Sequence, residues 1–365
     1  MSASSAVATL VSLTQVDKGD SELPSCAPTA QTSAMKTITV GPIVGRLGEK
    51  VSGFLDVPAA ADPGTRIPVS VVTGTSNGPV LALVAGTHGS EPAPIVALQR
   101  VRAELNPAEL SGTVILVQVA NLPSFVHRTV YRGPWDQKNL NRVFPGHPHG
   151  TASERIAYAI TTNVIDQCDA LVDMHSGDAN EALRPYSYWN KLGVDDAVDD
   201  RARDLALAFG LDHIVVDRGR PRDRGASIFC ANTAQVRGKP ALTTEAGEVG
   251  VPTTEMVDVN VRGAFRVMRH LGMLPGAPQM VQRPKWIEPS QVLTSPAAGT
   301  WHPLVKPDQH VERNTLLGRL TDYFGETIAD IRSPMDGVVL YIVASPAMSE
   351  GEPIGMVGQI QESIA

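Results

Sequence analysis

From residue 68 onward, short apolar runs rich in β-branched residues alternate with longer segments whose apolar positions recur every three or four residues. "PVSVVTG" and "VLALVAG" read as strands, and "PIVALQRVRAEL" has the helical period. "TVILVQVA" is a continuous apolar run, as a strand buried on both faces requires. "TASERIAYAITTNVI" reads as a helix opened by a capping box, Thr151 with Glu154. "ALVDMH" is a strand, "DAVDDRARDLALAFG" a helix ending at Gly210, "HIVVD" and "PALTTEAG" strands, and "VDVNVRGAFRVMRHLG" a long helix. This alternation predicts an α/β domain with a largely parallel sheet flanked by helices.

The pattern changes at the Pro-rich stretch "LPGAPQMVQRPKWIEPS", which marks a boundary near residues 274–290. Beyond it, Gly/Pro turns separate short apolar runs, and one half echoes the other. "SPAAGTW" at 295–301 matches "SPMDGVV" at 333–339, and "LLGRL" at 316–320 loosely matches "PIGMV" at 353–357. The echo predicts a small all-β domain resembling the barrel-sandwich of biotinyl and lipoyl domains. No lysine follows Lys306, so a lysine-borne swinging arm is disfavoured. The tail reads as a cap that narrows an active site or builds a homo-oligomer. The expected organisation is a disordered extension over 1–34, an α/β domain over 35–275 (35–67 partly a β segment), and the β barrel-sandwich-like domain over 288–360.

Composition narrows the partners. The 365 residues are 42% hydrophobic, enough to bury a large core, and carry a net charge of −7. No two Lys or Arg residues are adjacent, the densest basic stretch being "RGRPRDR" at 218–224, and no apolar run approaches the roughly 20 residues of a spanning helix. Nucleic acid and membrane are therefore not expected partners. Three scattered cysteines, Cys26, Cys168 and Cys230, make neither a disulfide framework nor a thiolate zinc site. The first basic residue is Lys18, which disfavours a secretory signal, and a cytoplasmic location is the simplest expectation.

Candidate chemistry gathers at predicted strand ends. His88 and Glu91 follow "VLALVAG" three residues apart, just before Pro92 and Pro94. Alone the spacing says little, since nine histidines give roughly half a chance occurrence per chain at average composition. With Ser90 near the N-cap, a plain capped turn would explain it. Position raises its interest, because ligands in open α/β sheets collect at the carboxyl edge. His175 ends "ALVDMH", and Asp173 shares its face of that strand. Two imidazoles, one carboxylate and an open position make a catalytic zinc site, with Asp173 orienting it from behind. His175 with Asp178 is a competing pair without a helix start. In "DQKNLNRVFPG", Asn139, Asn141 and Arg142 share a loop, where an amide beside a guanidinium suits a carboxylate. Glu245 ends "PALTTE", where a carboxylate could take a proton from a zinc-bound water and pass it on. Glu248 is the weaker choice. Asp178 and Glu181 in "SGDANEALRPY" read as a solvated loop, or as partners for a second amine on the substrate.

Taken in order, "GTHGSEPAP", "NLNRVFPG", "DMHSG" and "TTEAG" resemble the succinylglutamate desuccinylase/aspartoacylase family, of zinc carboxypeptidase-like fold, over roughly residues 70–272. Within it the sequence looks nearest to N-acetyl-diaminobutyrate deacetylases. The resemblance implies one zinc per chain on His88, Glu91 and His175, with Glu245 as general base and acid. It implies Asn141 and Arg142 on the substrate carboxylate, and leaves Asn139 without a settled role. It also implies an upstream arginine that polarises the scissile carbonyl: Arg128 or Arg132, with a lean to Arg132. The expected activity is hydrolysis of a small N-acyl amino acid. A metallocarboxypeptidase for short peptides and a non-catalytic binding protein are the alternatives. Intact ligands argue against the latter. Neither GxxxxGK[ST] nor GxGxxG occurs.

Overall fold

The computed structural model describes residues 37–364; the expectation for residues 1–34, and Cys26 with it, lies outside the described residues. One large mixed sheet contains β1 (Lys50–Val57), β2 (Thr65–Thr73), β3 (Ser76–Ala85), β4 (Ser111–Val117), β5 (Ala170–His175), β6 (Glu181–Leu183), β7 (Tyr186–Asn190), β8 (His213–Asp217), β9 (Ala241–Glu245) and β10 (Lys285–Thr294). The main helices are α1 (Pro92–Glu104), α2 (Leu122–His127), α3 (Ala152–Ile160), α4 (Asp196–Phe209), α5 (Cys230–Gln235) and α6 (Thr254–His270). Across the sheet the order is β1-β2-β4-β3-β5-β9-β7-β8-β10. The middle four, β4, β3, β5 and β9, run parallel. β1 and β2 form an antiparallel margin, and β7 runs against β9.

The apolar runs follow from this placement. Alternate residues of β3 enter two different cores. Leu81 and Leu83 pack with Leu98 of α1 and Val261 of α6. Ala82 and Val84 face the other way, toward Ile156 of α3 and Cys230 of α5. A strand covered on both faces needs apolar residues at every position. Helix α4 stops at Gly210, whose φ of 104° is the left-handed conformation that glycine adopts without steric cost.

The tail adds β11 (Gly299–Pro303), β12 (Leu316–Thr321), β13 (Thr327–Arg332), β14 (Gly337–Val343) and β15 (Pro353–Gln361). β11, β12 and β13 belong to a separate antiparallel sheet, while β14 and β15 continue the large sheet beyond β10. The predicted echo is structural. Ser295 Oγ donates to Ala297 O and Ser333 Oγ to Met335 O, the same local turn twice. Gly299 and Gly337 then open β11 and β14, which pair antiparallel with β12 and β15. Trp301 is buried, and its Nε1–H donates to Val343 O at 2.9 Å, tying the two halves together. β6 pairs with β14, Glu181 opposite Val343. No helix among the described residues is long and apolar enough to cross a membrane.

Candidate active site

Three adjacent parallel strands, β3, β5 and β9, end side by side. Ala85 pairs with Met174, and His175 with Glu245. The chain leaves β3 through Gly86 at φ 69°, where a Cβ would lie 3.0 Å from Val119 Cα. The turn that glycine permits delivers His88. The N-cap of α1 is Glu91, one residue beyond the expected Ser90, and it makes no side-chain cap bond. Its carboxylate turns into the site instead, while Ser90 Oγ donates to Thr129 O.

His88, Glu91 and His175 bring one ligand atom each to within 4.8 Å of one another. Glu91 Oε1 is 2.6 Å from His88 Nδ1, and Oε2 is 2.9 Å from His175 Nδ1. The other ring nitrogens face acceptors: His88 Nε2 lies 3.1 Å from Asn139 Oδ1, and His175 Nε2 lies 3.1 Å from Asp173 Oδ2. A proton on each Nε2, donated to Asn139 and Asp173, would aim both Nδ1 lone pairs at the shared hollow. Asp173 is fully buried and also accepts from Thr87 Oγ1 and Asn141 Nδ2.

Electrostatics favours a cation there. Burial opposes charge on His175, yet Asp173 and Glu91 raise its pKa well above the ordinary value; burial also opposes charge on His88, and Glu91 raises its pKa. Burial also opposes charge on Glu91, but the imidazoles, His175 foremost, hold its carboxyl at about 2. Two imidazoles and one carboxylate, converging and open to a cavity on one side, fit a catalytic zinc ion.

That cavity has a volume of about 570 Å³ and exposes His88, Glu91 and Glu245 together. Burial holds Glu245 well above the usual carboxylate range; His175 opposes this, and Glu91, Glu181 and Asp173 reinforce it. Arg132, Asn139 and Arg142 line the same cavity. Arg142 lies over the Phe229 ring at 4.6 Å and donates to Asn141 O, and Arg220 stacks on the same ring at 3.7 Å. Arg128 is exposed at the end of α2, in a left-handed conformation, and lines a different surface depression. Asn141 is buried behind the triad, its Oδ1 accepting Cys230 N–H and its Nδ2 facing Asp173. Glu248 accepts the Leu183 N–H, and Asp178 the Tyr131 N–H.

Several lining residues carry no local sequence signal. Tyr131, held at φ 58°, Tyr186 and Tyr188 join the wall, and the tail contributes Tyr341 and the 350–353 segment. A cap that narrows the site was the expectation for the tail. The residues that do so could not be named from the sequence, because they arrive through long-range strand pairing.

Comparison with known proteins identifies relatives of this chain and of its fold. The profile of the succinylglutamate desuccinylase/aspartoacylase catalytic domain matches residues 77–271. The N-alpha-acetyl-L-2,4-diaminobutyric acid deacetylase of Halomonas elongata is 29% identical over 325 residues, 86% of this chain and 92% of that one. A succinylglutamate desuccinylase/aspartoacylase structure from Rhodobacter sphaeroides superimposes with a TM-score of 0.74 at 25% identity, covering 86% of this chain and 96% of its own. The product-bound ectoine utilization protein EutE (DoeB) from Ruegeria pomeroyi does so with 0.75 at 25% identity, covering 85% and 95%.

Proposed function

The chain belongs to the succinylglutamate desuccinylase/aspartoacylase family, and from that premise we propose that it is a zinc-dependent amidohydrolase that removes the acyl group from a small N-acyl amino acid, N-α-acetyl-diaminobutyrate first among them. The observation that carries this is the convergence of His88, Glu91 and His175 beside a cavity that His88, Glu91 and Glu245 line together.

His88 Nδ1, Glu91 and His175 Nδ1 would hold the metal. When bound, a zinc ion acidifies a water to a pKa of roughly 7 and polarises a carbonyl. Glu245 would take a proton from the attacking water as the C–O bond forms at the amide carbon. It returns that proton to nitrogen as the C–N bond breaks, releasing a carboxylic acid and an amino acid. Arg132 faces the cavity where the carbonyl oxygen gathers negative charge. Arg142, fixed over Phe229, pairs with the substrate carboxylate. Asn139 and Asp173 act by orienting the two imidazoles. A wall built by Tyr341 and the 350–353 segment favours small free substrates over peptides.

The test compares zinc content and deacetylation in wild type and His88→Ala. About one zinc per chain, lost with activity in the variant, is expected. Full activity in metal-free wild type would overturn the reading.

A further inference from the structure

We propose that Glu181 is the specificity-determining residue of this cavity, its carboxylate receiving the side-chain ammonium of a diamino acid substrate. The assignment deepens the amidohydrolase reading and rests on it.

Glu181 lines the same cavity as His88, Glu91 and Glu245. Its backbone is pinned by pairing with Val343 of β14. Its Oε1 accepts the Tyr131 hydroxyl at 2.9 Å, and its Oε2 accepts the Asp178 N–H at 3.3 Å. These two neutral donors orient the carboxylate without neutralising it. Among the described residues no lysine, arginine or histidine forms an ion pair with it. Burial, aided by Asp178 and Glu91 and opposed by the two hydrogen bonds, lifts its pKa to about 7. An arriving ammonium would make a charge-assisted hydrogen bond there.

The cavity therefore offers opposite charges to one ligand. Arg142 suits an α-carboxylate, and Glu181 suits a cationic side chain. A neutral side chain would leave the carboxylate unpaired, and a second carboxylate would meet repulsion. Glu350 and Glu352 also line the cavity, but Glu350 is exposed and Glu352 is held by the Ser349 N–H. Charges in contact with water discriminate weakly.

The experiment measures kcat and KM of zinc-loaded wild type, Glu181→Gln and Glu181→Asp on N-α-acetyl-2,4-diaminobutyrate, N-acetyl-2-aminobutyrate and N-acetylaspartate. Wild type is expected to prefer the diamino substrate over the aminobutyrate by at least about 10-fold, mainly through KM. In Glu181→Gln that preference collapses to within about 2-fold of unity, and the aspartate derivative gains relative to both. A preference that survives in Glu181→Gln, or that disappears instead in Glu350→Gln or Glu352→Gln, overturns the assignment. Calorimetric binding of 2,4-diaminobutyrate and 2-aminobutyrate to wild type needs no turnover. It separates failure of the amidohydrolase reading from failure of this one, and equal affinities would overturn the assignment even if a variant failed to fold.

Discussion

Both imidazoles of the triad are oriented before any metal arrives, by different acceptors: Asn139 for His88 and Asp173 for His175. Asp173→Asn should therefore weaken zinc binding by about 10- to 100-fold, read by chelator competition; an unchanged affinity would refute the orienting role. Glu245→Gln should keep its zinc while kcat falls by about 10²- to 10⁴-fold. Metal analysis beside single-turnover rates separates the two effects. Glu181 makes a prediction about stability. Its folded pKa of about 7 lies above that of an unfolded glutamate. Its protonated form thus contributes stability that is present below about pH 4.3 and lost as pH rises through about 7. Glu181→Gln should consequently gain melting temperature relative to wild type at pH 8 and little at pH 4. Equal differences at both pH values would contradict the buried, unneutralised carboxylate. His88, Glu91, His175 and Glu245 were legible because each lies at or just past a strand end. Asn139 was legible as a polar loop residue, but its contact with the His88 ring was not, since an amide facing a ring nitrogen looks in sequence like one facing a substrate.

Elements with strong periodicity were legible almost to their ends: "ALVDMH" and "HIVVD" coincide with β5 and β8. β6 and β7 were not, because "EAL" and "YSYWN" are short and mixed, and become strands only by pairing with β14 and β9. α5 is six residues of "CANTAQ", too short for a period to show. The echo in the tail was legible through its serines and glycines, and the structure gives the physical reason for one of them. A Cβ on Gly318 would lie 2.2 Å from the Trp301 ring. Gly318→Ala should cost about 1–3 kcal/mol through overpacking and lower the melting temperature, with the zinc site intact. A variant as stable as wild type would mean that Trp301 moves aside freely.

At the scale of the whole molecule, the tail is built into the sheet that carries the site. β10 pairs with β8 on one side and β15 on the other, and β14 pins β6. Deleting residues 295–364 would uncover Val215 and Ile287 and remove Tyr341 from the cavity wall. The expected product is poorly folded and inactive, by circular dichroism and turnover; a folded, active fragment would contradict this. What no sequence pattern could show was that a sheet begun near residue 50 and one ending near 361 are the same sheet. That continuity has a mechanical consequence. Strands shared between both halves oppose a swing of the tail as a lid, so the cavity is expected to keep its dimensions from one turnover to the next. Such a vessel sorts by fit rather than by closure. Lengthening the acyl chain should leave the rate nearly level until the volume is filled, then cut it off sharply.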